Sequence, residues 1–316
     1  MTLLQELIVG LATGAIYALI ALGYTMVYGI IELINFAHGD IFMVGTFVSI
    51  LILNLLGITG VTHLNSLVLI GVMVLACVGS MLACAVLGVV IERVAYRPLR
   101  NAPRLAPLIS AIGVSLILED LGKLWKGVNY ISFPQILPQI NYTLISSKQG
   151  TVSVSSINML VIVVAVGLMI ALQLFITRTR TGRAMRAVAQ DRDAAALMGV
   201  NVNRIIEITF FIGAALAGAA GFIYGLQYGS TIFFIGFPLG LVAFTAAVLG
   251  GIGNIVGAML GGILIGVIEA LSALIPDTVL PHGGAAWHEA IIFAVLILIL
   301  VFKPSGLLGQ QTPEKV

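Results

Sequence analysis

The chain reads as an all-α, polytopic membrane protein, on three observations. Hydrophobic residues make up 60% of the 316 and charged residues only 9%, against roughly 25% charged in a soluble domain. Apolar runs of about 20 residues recur along the chain, the length a helix needs to cross roughly 30 Å of hydrocarbon. These runs show no residue-by-residue alternation, as in Ile291-Ile292-Phe293-Ala294-Val295-Leu296-Ile297-Leu298-Ile299-Leu300. They are therefore read as helices and not as strands of a closed barrel, the only other structure that pairs every backbone group in lipid.

In chain order, spans are expected at about 5–31, 40–57, 66–92, 105–125, 157–177, 204–228, 232–251, 254–275 and 287–303, a count of eight or nine in a single permease domain over 1–316. Discontinuous or re-entrant segments are expected near 34–40 and 249–254. The first apolar run has no basic region before it and exceeds a signal-peptide core in length, so it is expected to remain as a span. Cys77 and Cys84 lie on one expected helix, about 10 Å apart along its axis and too far for a disulfide.

Ten of the fifteen basic residues fall in two loops: Arg93, Arg97, Arg100 and Arg104 in one, Arg178, Arg180, Arg183, Arg186, Arg192 and Arg204 in the other. Both are expected on the cytoplasmic face, with Lys303 and Lys315 placing the C-terminus there too. The polar segment 126–156, with Pro134 and Pro138, is expected to be an exterior loop. The N-terminus lies outside if nine full crossings exist, and a run that enters and leaves by one face would reverse this.

Two polar or glycine-rich breaks interrupt the apolar sequence. Ile34-Asn35-Phe36-Ala37-His38-Gly39-Asp40 sits between two apolar runs without a basic residue. Irregular backbone at membrane depth is tolerated only when buried in protein or lining a wet cavity, so Asn35, His38, Gly39 and Asp40 are candidates for a substrate path. The alternative is a short loop in which Asn35 or Asp40 caps a helix. His38 has no second ligand at helical spacing that would suggest a metal site.

The second break is Leu249-Gly250-Gly251-Ile252-Gly253-Asn254. Gly253, Gly257 and Gly261 repeat every fourth residue, a stripe that lets membrane helices approach closely, as do the pairs Gly10/Gly14 and Gly221/Gly225. Gly250, Gly251, Gly253 and Asn254 also permit a helix break that could face Asn35–Asp40 across a pseudo-symmetric core. The spacing is not that of a dinucleotide-binding loop, and nothing suggests a nucleic-acid partner.

Glu119, Asp120, Glu207 and Glu269 fall near span ends, so no relay of carboxylates and histidines is evident. No Walker A sequence occurs, so any ATP must be hydrolysed by another subunit. No paired acid, nucleophile or metal cluster suggests an enzyme, and no cofactor is implied.

The segment 178–204 is then the natural place for that other subunit to grip. Thr181 to Gln190 is rich in helix formers, with Met185, Val188 and Ala189 on one face. Asp191 or Asp193 can cap a second short helix through Ala194, Ala195, Ala196 and Leu197, which Gly199 would end. A positive-inside loop that merely sets topology is the plainer alternative. Arg183, Arg186, Asp193, Ala194, Ala195 and Gly199 are the candidate coupling residues.

Asp193-Ala194-Ala195, three residues, then Gly199 resembles the glutamate-alanine-alanine-x-x-x-glycine signature of permeases in ATP-binding-cassette importers, with aspartate in place of glutamate. Other runs extend the resemblance in order along nearly the whole chain: Glu32 to Gly39, Ile91 to Arg100, Leu108 to Gly113, Phe244 to Gly253 and Lys303 to Gly309. Together they look like the LivH branch of the high-affinity branched-chain amino acid permeases. The segment 126–156 carries no family motif.

What the resemblance implies is a multi-pass subunit of a bacterial inner membrane that imports leucine, isoleucine and valine. It implies a homologous second permease of LivM type, two cytoplasmic ATPase subunits whose grooves take the coupling helices, and a periplasmic or lipid-anchored binding protein, within membrane lipid. A sister group carries urea or short amides and shares the Asn-x-Ala-His-Gly core; the run Glu92 to Pro98 leans to the amino acid branch. An ion-gradient-driven carrier or a channel-like facilitator are the rival classes.

Overall fold

The computed structural model describes residues 2–60, 65–100, 102–103, 105–147 and 150–309; Arg104 and Lys315, used above to assign sides, lie outside them. The helices are α1 (Thr2–Ile31), α2 (His38–Leu55), α3 (Ser66–Ile91), α4 (Leu105–Lys126), α5 (Ser156–Arg178), α6 (Arg180–Gln190), α7 (Arg192–Leu197), α8 (Val202–Tyr228), α9 (Gly236–Gly250), α10 (Ile255–Ser272) and α11 (His288–Phe302). Among the described residues, eight helices are long and apolar enough to cross a membrane. The chain is an all-α polytopic membrane protein.

The seventh expected span, 232–251, is shorter than its sequence suggests. Residues 232–235 are apolar but lie outside the helix, and α9 has 15 residues, about 22 Å of rise against roughly 30 Å of hydrocarbon. The segment 126–156 is also more ordered than a plain loop. β2 (Asn141–Ser147) and β3 (Gly150–Ser155) form an antiparallel hairpin, and β1 (Ile131–Ser132) pairs with β4 (Ser230–Thr231) just after α8.

Helix ends collect at two poles. At the basic end, Arg93 and Arg97 pair with Glu207 of α8 at 3.1 and 3.2 Å, α6 and α7 follow α5, and the chain after α11 folds back. There the Leu307 and Leu308 amides donate to the carbonyls of Leu249 and Gly250. At the opposite, hairpin end, Gln5 Oε1 accepts from the Ser153 amide. That contact puts the start of α1 beside the hairpin, the arrangement parity requires if α9 counts as a crossing.

Burial divides the bundle. Most of α1, α2 and α8 is buried, whereas in α11 Ile292 is the buried residue and the others are half-buried or exposed. Lipid tails are as apolar as leucine, so the inner helices gain by close van der Waals packing more than by hiding area. Glycine makes that packing possible: a Cβ at Gly14 would stand 2.8 Å from the Ile263 backbone, and one at Gly45 equally close to Gly218. The expected 253–257–261 stripe is modified, since Gly253 precedes α10, Gly257 and Gly261 pack on α9, and Gly262 and Gly266 on α1.

Candidate functional site

Two constellations emerge, one buried between helices and one at the basic end. The buried one is the first break. α1 stops at Ile31, Glu32 takes φ +53°, and the chain runs back along α1 before α2 starts at His38. The His38 ring fills the space that a Cβ on Gly23 would need and meets the Tyr24 ring edge-on, with centroids 4.8 Å apart. Since Gly23 lies eight residues before the end of α1, α2 begins well inside the bundle.

Neither Asn35 nor Asp40 caps α2 through its side chain, which corrects the loop alternative; the cap position is Ala37. Asn35 Oδ1 instead accepts from the Tyr96 hydroxyl at 2.9 Å, and its backbone carbonyl accepts from the His38 amide. Asp40 accepts from Ser115 Oγ, midway along α4. Asn35, His38 and Asp40 are each at least 98% buried. Yet Asn35 Nδ2, His38 Nε2 and Asp40 Oδ1 have no hydrogen-bond partner among the described residues. Buried polar atoms without partners are uncommon in native proteins, and three in one knot mark it as specialised.

The helix that meets this knot is α9. A Cβ at Gly39 would collide with the Gly236 carbonyl and lie 2.9 Å from Gly240 Cα, and a Cβ at Gly236 would meet Asp40 Oδ1. The N-termini of α2 and α9 thus converge on Asp40, where both helix dipoles present their positive ends to the carboxyl group. Contact with the break at Gly250–Asn254 is different from that expected. Gly253 lies against Gly29 of α1 and Gly251 against Gly309, both at the basic end, so the two breaks do not pack face to face. They do share a wall: Ile34 and Ile252 line one narrow cleft of about 10 Å³ with Tyr24, Tyr28 and Phe244.

The second break is a real helix interruption. Gly251 and Gly253 take φ +108° and +88°, a region open mainly to glycine. Asn254 Oδ1 caps α10 by accepting from the Gly257 amide, while its Nδ2 donates to the Leu308 carbonyl at 2.8 Å. Asn254 ties the break to the returning C-terminal segment.

At the basic end, two short helices form where the sequence predicts them. Thr179 caps α6 by accepting from Gly182, and Asp191, not Asp193, caps α7 by accepting from the amides of Asp193 and Ala194. Gly182, Met185 and Val188 make the buried stripe of α6, and Ala189, on the same apolar face, is exposed. Arg186 donates to the Ile176 carbonyl, and Arg183 is exposed. Ala195 is the buried residue of α7, and Gly199, at φ +84°, ends it with nothing near a Cβ position.

Sequence reasoning missed the two most prominent features of this end. Leu197 and Met198 are 89% and 85% exposed, an apolar knob at the tip of α7. Arg192 donates through Nε and Nη2 to the Ile30 carbonyl at 3.0 and 2.6 Å, joining α7 to the last turn of α1 just before the first break. An exposed apolar pair beside Gly199 was visible in the sequence as a signal; a bond to a backbone carbonyl 162 residues away was not. Nearby, Glu92 is fully buried and paired with Arg100, and Arg100 also donates to Asn203. Burial lowers the Arg100 pKa from its ordinary value, with Glu92 opposing the shift.

The fold defines a multi-pass helical membrane protein. Residues 7–300 match the family model described as branched-chain amino acid transport system / permease component, and the chain belongs to that family. It is 46% identical to the high-affinity branched-chain amino acid transport system permease protein BraD of Pseudomonas aeruginosa, over 99% of this chain and 98% of that one. It is 43% identical to the corresponding protein LivH of Escherichia coli, over 99% and 97%. A more distant relative, the autoinducer 2 import system permease protein LsrC of Klebsiella pneumoniae, is 29% identical over 63% of this chain. No solved structure matches the chain.

Proposed function

We propose that this protein is a transmembrane subunit of an ATP-driven importer that carries leucine, isoleucine and valine across a bacterial inner membrane. Near-full-length similarity to the branched-chain amino acid permeases supports the cargo. In this reading the basic end faces the cytoplasm, as the arginine loops favour, and with it the C-terminal segment 303–309; segment 126–156 lies outside. A homologous second permease, two ATPase subunits and an exterior binding protein complete the machine.

The observation that carries the mechanism is the bond from Arg192 to the Ile30 carbonyl. The coupling segment 178–204 offers Leu197 and Met198 to an ATPase groove, with Asp193, Ala194, Ala195 and Gly199 shaping the helix and its stop, and Arg183 and Arg186 on the helix before it. A push on α7 is delivered through Arg192 to the end of α1. From there it reaches the break at Asn35, His38, Gly39 and Asp40, whose unpartnered polar atoms support a place along the substrate path. Ile252 of the second break lines the shared cleft, and its neighbours Gly250, Gly251, Gly253 and Asn254 are proposed to lie along the same path.

The test is reconstitution. Proteoliposomes holding both permeases and the ATPases should take up leucine only with ATP at the ATPase face and binding protein on the other. Uptake by this chain alone on a proton or sodium gradient contradicts the importer reading, and uptake of urea or short amides in place of leucine contradicts the cargo.

A further inference from the structure

A cavity of about 210 Å³ opens at the basic end between the break and the coupling segment. Its lining includes Arg100, Arg192 and Glu32 on the polar side and Leu33, Ile206 and Phe210 on the apolar side. The coupling mechanism accounts for the bond from Arg192 to Ile30, and Glu92 and Asn203 hold the Nη atoms of Arg100, but neither accounts for a cavity that sets these two guanidinium groups and Glu32 beside an apolar wall. Arg100 Nε is buried and has no hydrogen-bond partner among the described residues, and Glu32 is exposed with its backbone held at φ +53°. Non-glycine residues at positive φ cost energy and tend to persist where function requires them.

Few small molecules match such a lining on every side. Two cations suit a carboxylate in a bidentate or bridging geometry, an anion suits an ammonium, and Leu33, Ile206 and Phe210 suit a short apolar side chain. A phosphate would suit the arginines but leave Glu32 repelling it, and a fatty chain would leave the polar side of the cavity unmatched.

We propose that this cavity binds a free, zwitterionic amino acid with an apolar side chain from the cytoplasmic side, and so lets accumulated cargo restrain its own import. The ligand carboxylate bridges Arg192 on α7 to Arg100 in the α3–α4 connection, its ammonium meets Glu32, and its side chain rests on Phe210 and Ile206. Because Arg192 is the proposed link between α7 and α1, a bridge to Arg100 fixes the coupling helix to the bundle and resists its movement. The inference rests on the importer reading for its cargo, and on the cavity for the site.

The experiment uses the whole importer in proteoliposomes, with leucine loaded in the lumen at the ATPase face and initial uptake of labelled leucine measured from the other side. Lumenal leucine should slow uptake, while N-acetylleucine, which lacks the ammonium, leucinamide, which lacks the carboxylate, and inorganic phosphate should not. Glu32→Gln should leave uptake into empty vesicles unchanged and raise the lumenal leucine needed for half inhibition about tenfold, as loss of one charge-assisted hydrogen bond implies. Calorimetric titration of leucine into the complex without binding protein should show binding that Glu32→Gln weakens equally. Equal inhibition of the variant, equal inhibition by phosphate, or no binding in the titration overturns the proposal. Binding retained in a complex that fails to import leucine overturns the importer reading instead.

Discussion

The first break and the coupling segment are both polar interruptions in an apolar chain, and the structure treats them oppositely. His38 and Asp40 are buried and pressed against glycine backbone of α1 and α9, with Asn35 buried beside Tyr96, whereas Leu197 and Met198 are exposed and Gly199 after them has open space around it. At the break, polar side chains are inside a close-packed setting; on α7, apolar side chains are outside, where the proposed function calls for a partner. The difference teaches that polarity alone does not mark a surface in a membrane protein. What separates the two is the presence or absence of a small residue opposite.

The comparison can be broken most severely at Gly39. A leucine there would drive a side chain into the Gly236 carbonyl and Gly240, and overpacking of a tight core costs about 1–3 kcal/mol or more. Gly39→Leu should reduce the membrane-inserted, thermally stable yield and abolish leucine uptake; normal melting of the purified variant would show the contact to be loose. Leu197→Asp probes the other side. It should leave melting unchanged, since the side chain is exposed, while reducing co-purification of the ATPases about tenfold or more, as loss of an apolar anchor does.

Arg192→Ala tests the connection between the two regions. Two charge-assisted hydrogen bonds are lost, a contribution of about 1.5–3 kcal/mol each, so stimulation of ATP hydrolysis by loaded binding protein should fall while ATPase association persists. Full stimulation in the variant would separate the break from α7. The smallest effect is expected at Asn254→Ala, which removes a helix cap and should lower stability by about 1 kcal/mol; a loss of several kcal/mol in urea or thermal unfolding would give that break a larger role than its half-buried position suggests.

Much of this was legible in the sequence, and particular residues show why the rest was not. Length and hydropathy locate eight long helices because lipid imposes one length on every crossing. Asp191 to Gly199 reads as a short capped helix and its stop because cap and glycine are local signals. The shortness of α9 was hidden by Ile232, Phe233, Phe234 and Ile235, which are apolar but precede the helix. The hairpin was hidden by the polar surroundings of Thr151-Val152-Ser153-Val154, although the alternation is that of a strand. Asp40 is placed by Ser115 and Gly236, and Arg192 by Ile30; such partners, distant in sequence, belong to tertiary packing and leave no local trace.

The central claim is that movement of α7 reaches the buried break through Arg192, and a labelling experiment reads this directly. A cysteine at Asn35 in an importer whose native Cys77 and Cys84 are replaced is exposed to a small polar thiol reagent with and without ATP and loaded binding protein. The account predicts slow labelling at rest, acceleration during ATP turnover, and loss of that acceleration when Arg192→Ala is added. Labelling that is equally slow in every state, or an acceleration that survives Arg192→Ala, would contradict it.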